Sequence, residues 1–182
     1  MGILKNNPLF NINRQSVKVS PFWRFFLREV LNKLRSDIFA LTKRNVQLEF
    51  IQRNDIYFDS LDFFNDEYYL TTIMDEKRQI PIYIYINSKE ANSLINFLHG
   101  NVDVINFDRE ITLLNKKVID QFMQNVSKTL TDVMKEKSHD LVFSFNDQFT
   151  NKTSYGTELI IQFDYTNFSV FIPDEFYKFQ KV

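Results

Sequence analysis

One acid–amide pair in the sequence has a spacing that could do chemistry. Glu29 and Asn32 are three residues apart in a segment of helical periodicity, so their side chains lie side by side on one helix. A carboxylate and an amide placed in this way could position a water molecule for attack on an aspartyl phosphate. The alternative is that both are ordinary residues of a polar helix face. The sequence favours this alternative, because the pair projects opposite the apolar stripe of its own segment.

Other residues with catalytic potential are sparse. His99 and His139 are far apart in the sequence, and neither has a partner at metal-ligand spacing, so both are interpreted as solvated loop histidines. The chain has 3 Gly and 0 Cys, which excludes a Gly-rich phosphate loop and thiol chemistry. We therefore expect no enzyme active site, no metal and no cofactor.

The charge pattern favours protein partners over nucleic acid. Basic and acidic residues number 22 and 23, and they alternate along the chain, whereas nucleic-acid binders usually collect basic residues on one face. The densest basic region is interrupted by Asp37 and comprises Lys33, Arg35, Lys43 and Arg44. No apolar run reaches the roughly 18 residues of a membrane span, and residues 1–20 lack the features of a signal peptide. These features indicate a soluble protein without direct membrane insertion.

The elements that would position these residues occur in a repeated order. Residues 1–20 are polar and are predicted to be a flexible segment, and residues 21–182 are predicted to form one domain. Helical periodicity covers 21–43, strand patterns follow at 46–51, 68–74 and 80–86, and a short helix follows at 88–98. The second half repeats this order with a helix at 112–135, strands at 141–145, 158–165 and 168–172, and a short segment at 173–177.

This duplication predicts an α/β domain with pseudo-twofold symmetry, in which the strands of both halves join one sheet. The alternative is two independent α+β lobes, each with a small core.

Several aromatic residues are predicted to lie outside the core. Phe22 and Phe25 lie away from the apolar stripe of the first helix, beside arginines, as is typical of contact surfaces. Phe63 and Phe64 fall in a long connection between the first two strands, and such connections are often functional. We therefore expect Phe63 and Phe64 to take part in self-association.

Several segments, in this order, resemble the middle domain of the flagellar motor switch protein FliM. The second half contributes Arg109-Glu110-Ile111-Thr112, Lys117-Val118-Ile119, Phe149–Thr153, Glu158–Ile161 and Phe168–Pro173. The first half contributes Phe25–Leu27, Asn32–Arg35 and Leu70–Ile73. The resemblance covers about residues 22–178 and implies a three-layer α/β/α domain of the CheC type, with two long helices packed on a mixed or antiparallel sheet.

The resemblance also implies a partner and a contact site. FliM middle domains pack side by side in the cytoplasmic switch ring at the flagellar basal body, which lies at the inner membrane, and contact the rotor protein FliG through a Gly-Gly-x-Gly loop. That loop falls on His99, Gly100, Asn101 and Val102, and only the second glycine is retained. Side chains at His99 and Val102 are expected to restrict φ and the approach of a partner. Arg109, Glu110 and Thr112 are family-motif residues expected near the interface.

Two parts of full-length FliM have no counterpart in the sequence. Residues 1–20 lack the motif that captures phosphorylated CheY, and the SpoA-type domain that would follow the middle domain is not found before Val182. The expectation is a truncated or reduced FliM, or a separate protein built from its middle domain.

A CheC/CheX-like phosphatase of a response regulator is the enzymatic alternative on the same fold. Those enzymes carry a Glu-x-x-Asn pair on one or both long helices. The first helix has Glu29 and Asn32, but in the second helix Phe122 occupies the position three residues before Asn125. A secretion-apparatus adaptor is a third, weaker possibility.

Overall fold

The computed structural model describes residues 21–63, 67–100, 112–137, 143–146, 153–163 and 166–178. The predicted flexible segment, residues 1–20, lies outside them. The first half comprises α1 (Pro21–Thr42), β1 (Leu48–Asp59), a 3₁₀ turn (Ser60–Phe63), β2 (Tyr68–Asp75), β3 (Ile80–Asn87) and α2 (Ser88–Leu98). The second half comprises α3 (Leu113–Lys137), β4 (Phe143–Asn146), β5 (Thr153–Phe163), β6 (Thr166–Pro173) and α4 (Asp174–Lys178). The predicted order of one long helix, three strands and a short helix is present in each half.

The six strands form one sheet in the order β1-β5-β6-β3-β2-β4, and all neighbouring strands are antiparallel. Each half contributes an edge strand to the other half, because β1 pairs with β5 and β4 pairs with β2. The pseudo-twofold relation runs through the central β6–β3 pair. This topology confirms the predicted shared sheet and shows that the alternative of two independent lobes is wrong.

One face of the sheet, called here the helix-covered face, holds the main core. The β3 isoleucines Ile82, Ile84 and Ile86 are buried on it, as expected where alternate residues of a strand point to the same side. All four helices contribute to the same core. Their buried residues include Leu27, Val30, Leu34 and Ile38 of α1, Leu94 and Ile95 of α2, Ile119, Val126 and Leu130 of α3, and Phe176 of α4.

The opposite face, called here the aromatic face, holds a second cluster, formed by Phe58, Tyr83, Tyr85 and Phe171. Phe58 lies at its centre, with its ring centroid 4.7 Å from that of Tyr83 and 4.5 Å from that of Phe171. No α-helix within the described ranges contributes to this cluster. The fold class and sheet are as predicted, and the helices of the described ranges all contribute to the core of the helix-covered face.

Strand β1 is longer than the sequence indicated. The predicted strand ended at residue 51, whereas β1 continues to Asp59. A β-bulge lies between Arg53 and Ile56, and Asp55 has φ 56°. In a regular strand, residues an odd number of positions apart point to opposite faces. The bulge shifts this alternation by one residue, so Ile51 and Phe58 both point to the aromatic face. β5, the partner of β1, correspondingly begins at Thr153 rather than at residue 158.

Candidate functional site

Helix α2 carries the predicted partner-contact residues at its C-terminal end, and its N-terminal end is fixed to the sheet. The Asn87 side chain caps the helix by accepting a hydrogen bond from the Glu90 backbone N–H at 2.9 Å. The Glu90 carboxylate accepts the Asn167 N–H at 3.0 Å, and its carbonyl accepts the Thr166 hydroxyl at 2.9 Å. Since Thr166 and Asn167 begin β6, these contacts set the direction of α2 relative to the sheet.

The backbone at the C-terminal end of α2 shows at which position of the Gly-Gly-x-Gly loop a glycine is required. Gly100 has φ +83°, a conformation that glycine adopts without the strain of a Cβ, and its N–H donates to the Phe97 carbonyl at 3.1 Å. His99 has φ −81°, which any residue adopts. A glycine at position 99 is therefore not needed for the backbone, and the exposed His99 side chain can affect only the approach of a partner. Asn101 and Val102 lie outside the described residues.

Arg44 holds this helix end, and sequence reasoning did not identify that role. Its terminal nitrogen Nη2 donates to the Gly100 carbonyl at 3.0 Å, and its guanidinium carbon stands 5.8 Å from the centroid of the Phe97 ring. In the sequence Arg44 is only one member of a mixed-charge region. No local pattern indicates that it reaches a residue 56 positions away.

The family-motif residues are only partly described. Arg109 and Glu110 lie outside the described residues. Thr112 is exposed and caps α3, because its hydroxyl accepts the Asn115 N–H at 3.2 Å and its carbonyl accepts the Lys116 N–H at 2.9 Å. Its observed contacts therefore give Thr112 a local role in starting α3.

The acid–amide pair lies on the outer side of α1. Asn32 is exposed, whereas Glu29 is half-buried. On α3 the Gln121 amide is 3.5 Å from the Asn125 side-chain oxygen, and Phe122 is buried in the core. The position that would carry the second acid of a phosphatase thus serves packing on α3.

The structure describes only one of the two residues that were predicted to take part in self-association. Phe63 is half-buried against its own chain, with its ring centroid 4.6 Å from Phe58 and 4.5 Å from Tyr85. Phe64 lies outside the described residues, as do the side chains of Phe22 and Phe25. Phe63 thus has a packing role within the chain, which the sequence interpretation did not anticipate.

A buried carboxylate on the aromatic face was also missed. Glu158 Oε1 accepts the Tyr85 hydroxyl at 2.5 Å and the Ser169 hydroxyl at 3.0 Å, and its Oε2 is 3.4 Å from Arg53 Nη1. Burial raises the pKa of Tyr85 far above its ordinary value, and the neighbouring negative charge of Glu158 raises it further. Tyr85 therefore stays protonated and donates to Glu158. With both carboxylate oxygens occupied, the cluster is suited to joining strands β1, β3, β5 and β6 rather than to acid–base catalysis.

No metal centre is found within the described ranges, where His, Cys, Asp and Glu do not gather in groups of three or more. In the same ranges no helix is long and apolar enough to cross a membrane.

Neither a protein-family model nor a curated protein matches the sequence. Solved structures do match. The FliM middle domain of Vibrio alginolyticus aligns with a TM-score of 0.64 and 11% identity, over 88% of this chain and 98% of that chain. The chain has the fold of a FliM middle domain.

Two further structures share this FliM-type fold. One comes from a FliG–FliM complex of Helicobacter pylori, with a TM-score of 0.59 and 11% identity over 83% of this chain and 90% of that chain. The other is the chemotaxis protein CheX of Desulfovibrio desulfuricans, with a TM-score of 0.50 and 9% identity over 81% and 97%. At these identities the likeness establishes the fold, as the sequence resemblance implied, and leaves the activity to be argued from the residues.

Proposed function

We propose that this chain is a structural, non-enzymatic component of a bacterial flagellar motor switch, in which it packs beside like subunits and contacts a FliG-like rotor protein. This role places it in the cytoplasm at the basal body. The observation that carries the proposal is the fold, which aligns at a TM-score of 0.59 with a structure from a FliG–FliM complex.

The geometry at the end of α2 supports an interaction role. A contact surface needs backbone that is already ordered before the partner arrives, since ordering on binding reduces affinity. His99 and Gly100 are exposed, and the helix that carries them is fixed by Asn87 and Glu90 at one end and by Arg44 at the other. Exposed groups on a fixed helix end suit recognition of another protein.

The test is a calorimetric titration of the full chain with the FliG-like protein of the same host. We expect binding that weakens at least about tenfold in the double variant His99→Ala, Asn101→Ala, because buried interface contacts cost more than 1 kcal/mol at the few positions that dominate binding. Lys89→Ala is the matched control, since Lys89 is exposed on the opposite end of α2. Absence of wild-type binding at about 100 μM would contradict the proposal, because this concentration corresponds to less than 6 kcal/mol of binding free energy.

Self-association is tested by sedimentation. Phe64→Ser is the informative variant, since Phe63→Ser would also remove a ring that packs on Phe58. Weaker association of Phe64→Ser with unchanged folding supports the ring model, and unchanged association removes Phe64 from it.

A CheC/CheX-like phosphatase is the second candidate, favoured by the exposed Asn32 one turn from Glu29 on α1. In this case the chain would speed the loss of phosphate from a phosphorylated response regulator, and Asn32→Ala would abolish the acceleration. No acceleration by the wild type would eliminate this candidate.

A further inference from the structure

A side chain from a distant part of the sequence contacts the C-terminal end of helix α2. The Arg44 guanidinium donates to the Gly100 carbonyl at 3.0 Å and lies over the Phe97 ring at 5.8 Å. The Phe97 ring belongs to the main core. Arg44 therefore links the exposed end of α2 to a ring that is itself fixed.

The local structure before Arg44 directs its side chain to this place. Helix α1 ends at Thr42, whose hydroxyl donates to the Ile38 carbonyl at 2.8 Å and accepts the Arg44 N–H at 3.2 Å. Lys43 adopts φ 59°, which ends the helix, and Val46 is buried in the core two residues after Arg44. The Arg44 backbone is thus fixed on both sides.

The two contacts require a planar cation. A guanidinium can donate a hydrogen bond in its plane while its face covers an aromatic ring, whereas a lysine ammonium does not combine both. A cation at a helix C-terminus is also favoured by the helix dipole. Gly100 fits the same arrangement, since a Cβ at this position would lie 3.3 Å from Arg44 Nη2.

We propose that Arg44 is a positioning residue of the partner-contact surface. It holds the Gly100 carbonyl at the end of α2, while His99 stays exposed for contact. This inference rests on the proposed function, because the recognition it serves is that of the FliG-like rotor protein.

The experiment compares Arg44→Gln and Arg44→Lys in the full chain by two measurements. The first is amide hydrogen exchange at His99 and Gly100, which needs no partner. The second is calorimetric titration with the rotor protein. Arg44→Gln is expected to speed exchange at both amides about tenfold and to weaken binding about tenfold, as for loss of one charge-assisted hydrogen bond. Arg44→Lys is expected to give intermediate values.

Arg35→Gln is the matched control, because it removes the same charge from an exposed position on α1. It should leave exchange at Gly100 unchanged and affinity within about twofold, since an exposed charge contributes little. Equal weakening by Arg35→Gln and Arg44→Gln would show a general charge effect and overturn the positioning role. Unchanged exchange and affinity in Arg44→Gln would overturn it as well.

The two proposals fail in different ways. If the wild type does not bind the rotor protein, the proposed function and the recognition part of this inference are both wrong, and the exchange rates alone decide whether Arg44 holds the end of α2. If the wild type binds and Arg44→Gln binds equally well, only the inference about Arg44 is wrong. If Arg44→Gln does not fold, Arg44→Lys decides by the same two measurements.

Discussion

The two faces of the sheet are buried in different ways. The helix-covered face is mainly aliphatic, although it also buries Phe168, and it packs on the four helices of the described ranges, with Ile82, Ile84 and Ile86 at its centre. The aromatic face buries rings against rings, with Phe58 between Tyr83 and Phe171, and it includes the buried carboxylate of Glu158. An aliphatic face tolerates rearrangement of its side chains, whereas stacked rings and a buried charge depend on register. The aromatic face should therefore be the more sensitive to small changes.

The largest effect is expected for Phe58→Ala. Removing this ring leaves a cavity between Tyr83 and Phe171 and should lower the free energy of unfolding by about 4 kcal/mol, compared with about 3 kcal/mol for Ile84→Ala on the helix-covered face. Urea denaturation measures both. A loss below about 1 kcal/mol for Phe58→Ala would show that the aromatic cluster is not a second core.

Adding one methyl group at Gly156 should disrupt the packing of the aromatic face. A Cβ at this position would lie 2.3 Å from the Ile172 carbonyl oxygen and 2.7 Å from the Phe171 ring. Gly156→Ala is expected to cost about 3 kcal/mol, since backbone must move to admit the methyl group. Gly100→Ala, where the strain comes mainly from φ and the nearby Arg44 side chain can move away, should cost about 1 kcal/mol by the same denaturation measurement. Equal costs would contradict the steric argument.

Alkaline pH should weaken the aromatic face selectively. Burial raises the pKa of Tyr83 to about 12 from 10.0, partly offset by a hydrogen bond with Ser60. The unfolded chain loses this proton near pH 10, so the contribution of Tyr83 is fully present below pH 10 and is lost as the pH rises to about 12. The loss amounts to about 3 kcal/mol at most. Denaturation between pH 9 and 12 should show a steeper fall for the wild type than for Tyr83→Phe.

The Glu158 carboxylate distinguishes the two faces in polarity. Tyr85, Ser169 and Arg53 all donate hydrogen bonds to the Glu158 side chain. Glu158→Gln replaces one of the two accepting oxygens by an NH₂ group, which can only donate. The free energy of unfolding should fall by about 2 kcal/mol. Glu49→Gln on the same strand pair, at an exposed position, should change it by less than about 0.5 kcal/mol. An unchanged free energy of unfolding in the Glu158→Gln variant would mean that the charge has no role in stability.

The smallest effect is expected on the helix side. Lys33 and Asp132 form an ion pair of 3.2 Å between α1 and α3, with more than a third of each side chain exposed. Lys33→Met should lower the free energy of unfolding by about 0.5 kcal/mol, because exposed ion pairs contribute little. The loss should decrease further at high salt, and a salt-independent loss would point to packing of the lysine stem.

The contrast between the helix-covered face and the aromatic face also explains which parts of the fold could be predicted from the sequence. Helices α1, α2 and α3 were predicted within about two residues, because an apolar stripe at helical spacing is a local signal. The contribution of β1 to the aromatic face was not predicted, since the bulge at Arg53 and Ile56 ends the visible alternation of β1 and makes Asn54-Asp55 look like a turn. The Arg44 contact and the Glu158 cluster were missed because both join residues that only the fold brings together.

The exchange of edge strands between the two halves has a consequence for how the chain folds during synthesis. Arg53 and its partner Glu158 are 105 residues apart, so β1 leaves the ribosome long before β5 exists to pair with it. At roughly 5–20 residues per second the delay is about 5–20 s. During that time β1 has no neighbour to pair with, and the charged Glu49, Arg53 and Asp55 along it are features that discourage pairing with another chain. We therefore expect the charged residues that make β1 hard to recognise in the sequence to limit aggregation of the nascent protein as well.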